Sequence, residues 1–157
     1  MVPSSDIKEF MSGHLTQVFD TMLSLKANPI DPIDPNQFPE RVSGSVGFAG
    51  EKVTGSVYLH IPAAFATQAT AAMLGMGEGE TPGDDEVKDV IGEVTNMLGG
   101  GLKSWLCDAG AVCALTTPAV IRGQSFAVLT SSGVEKILLP FDCGQHRGQA
   151  EVHIKFR

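Results

Sequence analysis

Asp89-x-x-Gly92-Glu93-x-x-Asn96-Met97-x-x-Gly100-x-x-Lys103 is the stretch of this chain whose residue types and spacing point to chemistry. On a helical wheel of ~100° per residue with Glu93 at zero, Asp85, Asp89, Glu93, Asn96, Gly100 and Lys103 fall between ~280° and ~360°. Val87, Val90, Ile91, Val94, Leu98, Leu102 and Trp105 centre near ~130°, so the polar stripe points away from the core. Glu93 and Asn96 are three apart and therefore side-chain neighbours. A carboxylate or amide on the outer face of a helix is ordinarily only solvated. The glycines argue for more. Gly99, Gly100 and Gly101 follow one another inside a periodic segment, and each helical Gly costs ~1 kcal/mol relative to Ala. Leu102, Trp105 and Leu106 keep the apolar phase beyond them, which predicts an unbroken helix. The reading this favours is a bare helix surface beside Glu93 and Asn96, onto which another backbone docks.

Other motifs carry less. Gly101-Leu102-Lys103-Ser104 lies inside the helix, and its lysine does not follow a glycine, so it is no phosphate loop. Gly75-Met76-Gly77-Glu78-Gly79 lacks the second half of a dinucleotide fingerprint and reads as a flexible linker. His14, His60, His146 and His153 have no ligand spacing, and no metal site is expected. Cys107, Cys113 and Cys143 are odd in number and lack a CxxC spacing; they fit buried thiols in a reducing compartment.

The elements that must position the stripe follow from periodicity. An amphipathic helix is expected from Ser4, Ser5 or Asp6 as cap, through Ile7, Phe10, Met11, Leu15, Val18, Phe19, Met22 and Leu23, ending near Lys26-Ala27-Asn28-Pro29. Residues 1–3 are expected to be disordered, and residues 28–40 to form a Pro-rich loop. Val42–Phe48 and Val53–Leu59 alternate around Ala49-Gly50-Glu51-Lys52, a β-hairpin whose glycines and serines suggest close packing on its face. A short Ala-rich helix begins near Pro62 and runs to Met73-Leu74. The helix bearing the stripe is expected from Asp84 to about Cys107, capped by Thr81 or Asp84. Strands are expected around Val112–Thr116, Ser125–Leu129, Glu135–Phe141 and Gln149–Phe156. The order α-β-β-α-α-β-β-β-β describes one α+β domain over residues 1–157 with a mainly antiparallel sheet. A helix followed by hairpins occurs twice, which hints at internal duplication.

Composition bounds the partners. The chain has 157 residues, 11 Lys plus Arg against 18 Asp plus Glu, and a net charge of −7. That balance argues against a general nucleic-acid binder, which needs positive charge to displace counterions from phosphates, and against a polybasic membrane-surface protein. Apolar runs are only a few residues long, so no membrane insertion is expected. The N-terminus has no basic region followed by an apolar one; no signal peptide is read, and a cytoplasmic location is expected.

The helix signature, with Val18-Phe19-x-Thr21-Met22-Leu23, Ser43-Gly44-Ser45-Val46-Gly47-Phe48 and Gly55-Ser56-Val57, resembles the CheX branch of the CheC/CheX/FliY family. These are phosphatases of the phosphorylated chemotaxis response regulator CheY. The resemblance covers most of residues 5–157, the C-terminal strands by pattern only. It implies a pseudo-duplicated fold and a phosphoaspartate phosphatase acting on a CheY-like receiver domain. It further implies that Glu93 docks against the receiver's lysine and Asn96 orients the attacking water, with Asp89, Gly100 and Lys103 at the partner-binding surface. The receiver would supply its own Mg²⁺, so the chain needs no cofactor. The CheC branch carries two such motifs, whereas the first helix here offers Glu9 with Ser12 rather than Asn. The resemblance to CheX therefore implies one site per chain and, since CheX-type proteins pair through their sheets, a homodimer. The alternative reading is a non-catalytic receiver-binding or scaffold module of the same fold.

Overall fold

The computed structural model describes residues 2–124 and 126–157. Among these described residues three α-helices, α1 (Ser4–Leu23), α2 (Ala63–Met73) and α3 (Asp84–Asp108), accompany seven strands. The strands are β1 (Asn28–Pro29), β2 (Arg41–Ala49), β3 (Val53–Pro62), β4 (Ala114–Leu115), β5 (Ala119–Gly123), β6 (Glu135–Cys143) and β7 (His146–Phe156). They form one antiparallel sheet in the order β1-β6-β7-β3-β2-β4, with β5 also paired to β2. Two hairpins, β2–β3 and β6–β7, therefore meet along β3 and β7. The fold is α+β, as the element order implied.

Period-two burial sets the two faces of the sheet. Val42, Val46, Phe48, Val57, Leu59, Ile137, Leu139, Phe141, Ala150, Val152 and Ile154 are buried in one continuous core with the helices. From α1 come Ile7, Met11, Leu15 and Phe19; from α3 come Val87, Val90, Ile91, Val94, Leu98, Leu102 and Leu106. The opposite face carries polar residues and is also buried: Arg41, Ser43, His60, Gln149, Glu151 and His153. Segments 30–38 and 126–134 cover it. The Ile33 amide donates to Gln149 Oε1 at 3.0 Å, the Arg41 guanidinium lies 3.9 Å over the Phe126 ring, and Thr130 Oγ1 lies 3.4 Å from His153 Nδ1.

The structure corrects several expectations. No strand forms over 126–130, and Ser125 lies outside the described residues; the strand falls earlier, at β5, in register from Ser45↔Ala119 to Arg41↔Gly123. β5 is a half-exposed edge strand, so no one-sided burial imprints alternation on its sequence. The strand expected over Val112–Thr116 shortens to Ala114–Leu115. α1 ends at Leu23 because Ser24 turns into the left-handed region (φ 53°) and the Leu25 amide bonds the Phe19 carbonyl at 3.2 Å. Neither long helix has the expected cap. Pro3 precedes α1 without a side-chain bond, and Gly83 caps α3 while its amide donates to Glu86 Oε1 at 2.9 Å. Within the proline-rich stretch, Asn28 and Pro29 pair with Asp142 and Phe141 of β6, and Pro35–Gln37 makes a 3-10 turn.

Candidate functional site

The helix that carries the stripe is unbroken from Asp84 to Asp108. Its first turn holds Asp84, Asp85 and Glu86, which suits the positive end of a helix dipole. Arg122 of β5 fixes that end, donating to Asp84 Oδ1 at 2.7 Å and to Glu40 Oε1 at 2.8 Å. The inner face sits directly on β2. Thr95 is buried and donates to the Ile91 carbonyl at 2.7 Å, and a Cβ on Gly44 would overlap its hydroxyl. The glycine-rich hairpin face is thus the bed of α3.

The three consecutive glycines correct the simple bare-surface reading. A Cβ on Gly99 would run into Val46 of β2, and one on Gly101 into the His14 ring of α1. Only Gly100 has room outward: the nearest atom, Leu115 Cδ1, is 4.0 Å from where its Cβ would lie. Two glycines serve internal packing and one leaves the surface bare.

That surface is bounded on both sides. On one, α1 crosses antiparallel: the Phe10 ring stacks on Trp105 (centroids 5.4 Å apart), and His14 Nε2 donates to the Met97 carbonyl at 2.8 Å. On the other, the chain from β4 to β5 runs as a ridge. Lys88, Asp89, Gly92 and Glu93 with Pro118 and Val120 of this ridge line a shallow cleft of about 300 Å³. Between them Glu93 is exposed and Asn96 half-exposed. Among the described residues neither side chain makes a hydrogen bond or ion pair, so both are available to a partner. Met97, beside them, is 41% exposed.

The structure brings Glu93, Asn96 and Gly100 together within two turns, with Asp89 exposed one turn before. Lys103 follows one turn beyond Gly100 on the same stripe, half-buried and about 15 Å along the axis from Glu93. Its charge also acts on Cys113, whose thiol is pushed up by burial and by the neighbouring Cys107 thiol while Lys103 works against both. Sequence reasoning missed the ridge and His14. A Cβ at Gly92 would make only ordinary contact with Val120, at 3.5 Å, so no residue type marked the ridge, and nothing in the spacing of His14 marked that residue. Among the described residues no group of three or more His, Cys, Asp or Glu is placed to hold a metal ion, and no helix is long and apolar enough to cross a membrane.

Comparisons with known proteins match this architecture. The family model described as chemotaxis phosphatase CheX matches residues 42–142, more than half of the chain and all of α3. Among solved structures, a CheC-like superfamily protein from Shewanella sp. PV-4 is 29% identical over 96% of this chain and 97% of its own, with a TM-score of 0.81. Chemotaxis protein CheX from Vibrio vulnificus is 28% identical over 94% and 95%, with a TM-score of 0.78. The CheX–CheY–BeF3–Mg²⁺ complex from Borrelia burgdorferi matches at 22% identity over 94% and 96%, with a TM-score of 0.71, a likeness of fold. No curated protein matches the chain by sequence.

Proposed function

The chain belongs to the CheX family of chemotaxis phosphatases, and on that premise we propose that it hydrolyses the aspartyl phosphate of a CheY-like receiver domain with Glu93 and Asn96. The observation that carries this is the uncommitted pair on the outer face of α3, exposed between two walls. A buried or internally bonded pair could not enter another protein's site. That a CheX from Borrelia burgdorferi is solved with CheY, BeF3 and Mg²⁺ supports a receiver as the partner and the metal as the receiver's own.

The division of labour follows from the groups. An acyl phosphate is already activated, and what hydrolysis needs is an aligned water. A carboxamide both donates and accepts, so Asn96 holds the water through two bonds and fixes its direction. Glu93, one turn earlier, pairs with a cation on the receiver and sets the depth of insertion. Exposed Asp89 and bare Gly100 extend the contact along the helix. A receiver partner supports a cytoplasmic location for this reaction.

The test is the lifetime of a labelled phospho-receiver with and without the protein, alongside a binding titration. Asn96→Ala is expected to abolish acceleration while leaving affinity within a few fold, because its bond forms only in the transition state. Glu93→Ala is expected to weaken both. A wild-type protein that binds the phosphorylated receiver and leaves its lifetime unchanged makes this a binding module instead.

A further inference from the structure

We infer that His14 of α1 is a positioning residue for the turn of α3 that carries Asn96, acting through the Met97 carbonyl; this rests on the role given to Asn96 above. The Asn96 side chain has no internal partner among the described residues, so its place is set by its backbone alone. That backbone runs straight into Gly99-Gly100-Gly101, the residue type that holds a helix least well. A Cβ built on Gly100 would meet no other element closer than Leu115 at 4.0 Å, so the outer side of the turn is not propped by packing.

His14 supplies the prop. Its Nε2–H reaches across from the other helix to the Met97 carbonyl at 2.8 Å, between residues 83 apart in sequence. The ring fits there only because Gly101 has no Cβ; an added methyl would coincide with it. The ring is itself held, stacked on Phe10 with centroids 5.6 Å apart, and Phe10 is stacked in turn on Trp105 of α3 at 5.4 Å. Two rungs, His14 to the 97–101 turn and Phe10 to Trp105, thus tie the glycine run to α1. The glycine that loosens the helix is the one that admits the brace. A water held by an amide must be placed to within a fraction of an ångström, and misplacement by about 1 Å costs up to ~10²-fold in rate. A brace one residue from Asn96 therefore acts on turnover rather than on docking.

Two variants separate the bond from the packing. His14→Phe keeps a ring to stack on Phe10 and removes the donor; His14→Gln keeps an N–H at similar reach. With the whole chain and a phosphorylated receiver, His14→Phe is expected to lower kcat about tenfold with KM within twofold of wild type, and His14→Gln to recover most of the loss. Hydrogen exchange at the Gly100 and Gly101 amides is expected to rise about tenfold in His14→Phe and to return toward wild type in His14→Gln. An active wild type matched by an equally active His14→Phe with unchanged exchange overturns this inference alone, as does a His14→Gln no better than His14→Phe. A wild type that leaves the phospho-receiver lifetime unchanged overturns the proposed function, and this role with it.

Discussion

Gly99, Gly100 and Gly101 sit side by side yet answer to three different neighbours, and their variants should separate accordingly. Gly99→Ala forces a methyl into Val46 of β2, an overpacked contact between a helix and a central strand. It is expected to destabilise by about 1–3 kcal/mol, read as a lower denaturant midpoint with unchanged slope. Gly100→Ala meets open space and gains up to ~1 kcal/mol of helix propensity. It is expected to fold at least as well as wild type, and to raise KM for a receiver because the methyl stands on the docking face. A Gly100→Ala variant with unchanged KM would place the docking face elsewhere. Neighbouring residues of one type thus separate stability from recognition.

At the scale of elements, the sheet is unusual in burying a polar layer on the face away from the helices. Ser43 Oγ lies 2.6 Å from His60 Nδ1, and Glu151 bonds both His153 Nε2 and Gln149 Nε2 at 2.9 Å. Lys136 stands 3.5 Å from the same carboxylate. Burial holds the His60 imidazole down to about 4 against the pull of Glu151. For Glu151, burial pushes upward, but the bonds from His153 and Gln149 and the charges of His60 and Lys136 outweigh it and keep the carboxyl at about 2. Both groups give the same sign. Between about pH 6.5 and 4 the unfolded chain takes up a proton at His60 that the folded chain refuses, so stability falls on acidification. The contribution of Glu151 is complete above pH 4.5 and is lost as pH falls toward 2. Going from pH 7 to pH 5 should cost about 2 kcal/mol through His60, a drop of about 4–8 °C in Tm for a chain of this size. His60→Gln should flatten that slope; an unchanged pH dependence in this variant would assign it to other groups.

For the molecule as a whole, the sheet has two edges of different character. On one, β1 covers only the Phe141–Asp142 end of β6, and residues 135–139 have no outer strand among the described residues. On the other, β4 and β5 pair with β2 in two short ladders. A long open edge is a template for another chain. We therefore expect a homodimer joined edge to edge through β6, measured as twice the chain mass by light scattering at micromolar concentration. Leu138→Pro, in the open stretch of β6, should shift that mass toward the monomer by adding a residue that cannot donate to a ladder. A monomeric wild type would rule the edge out as an interface. The α3 stripe lies across the other layer of the molecule, so two such copies would each present a separate site.

Features that depend on local periodicity were legible in the order of residues alone. α3 was readable to within a residue at its C-terminal end, because a strong apolar phase survives three glycines. The β2–β3 hairpin was readable because its alternation runs through both strands, and Glu93 and Asn96 were readable as outward neighbours because their separation fixes their angle. The rest turns on residues far apart in the chain. That Gly101 answers to His14 and Gly99 to Val46 is a fact of helix crossing and of helix on sheet, invisible to any window of sequence. β5 escaped because an edge strand half-exposed on both faces carries no alternation. The polar residues of β3 and β7 alternate as an outward face should, yet segments 30–38 and 126–134 bury them, and no local pattern records which loop folds over which sheet.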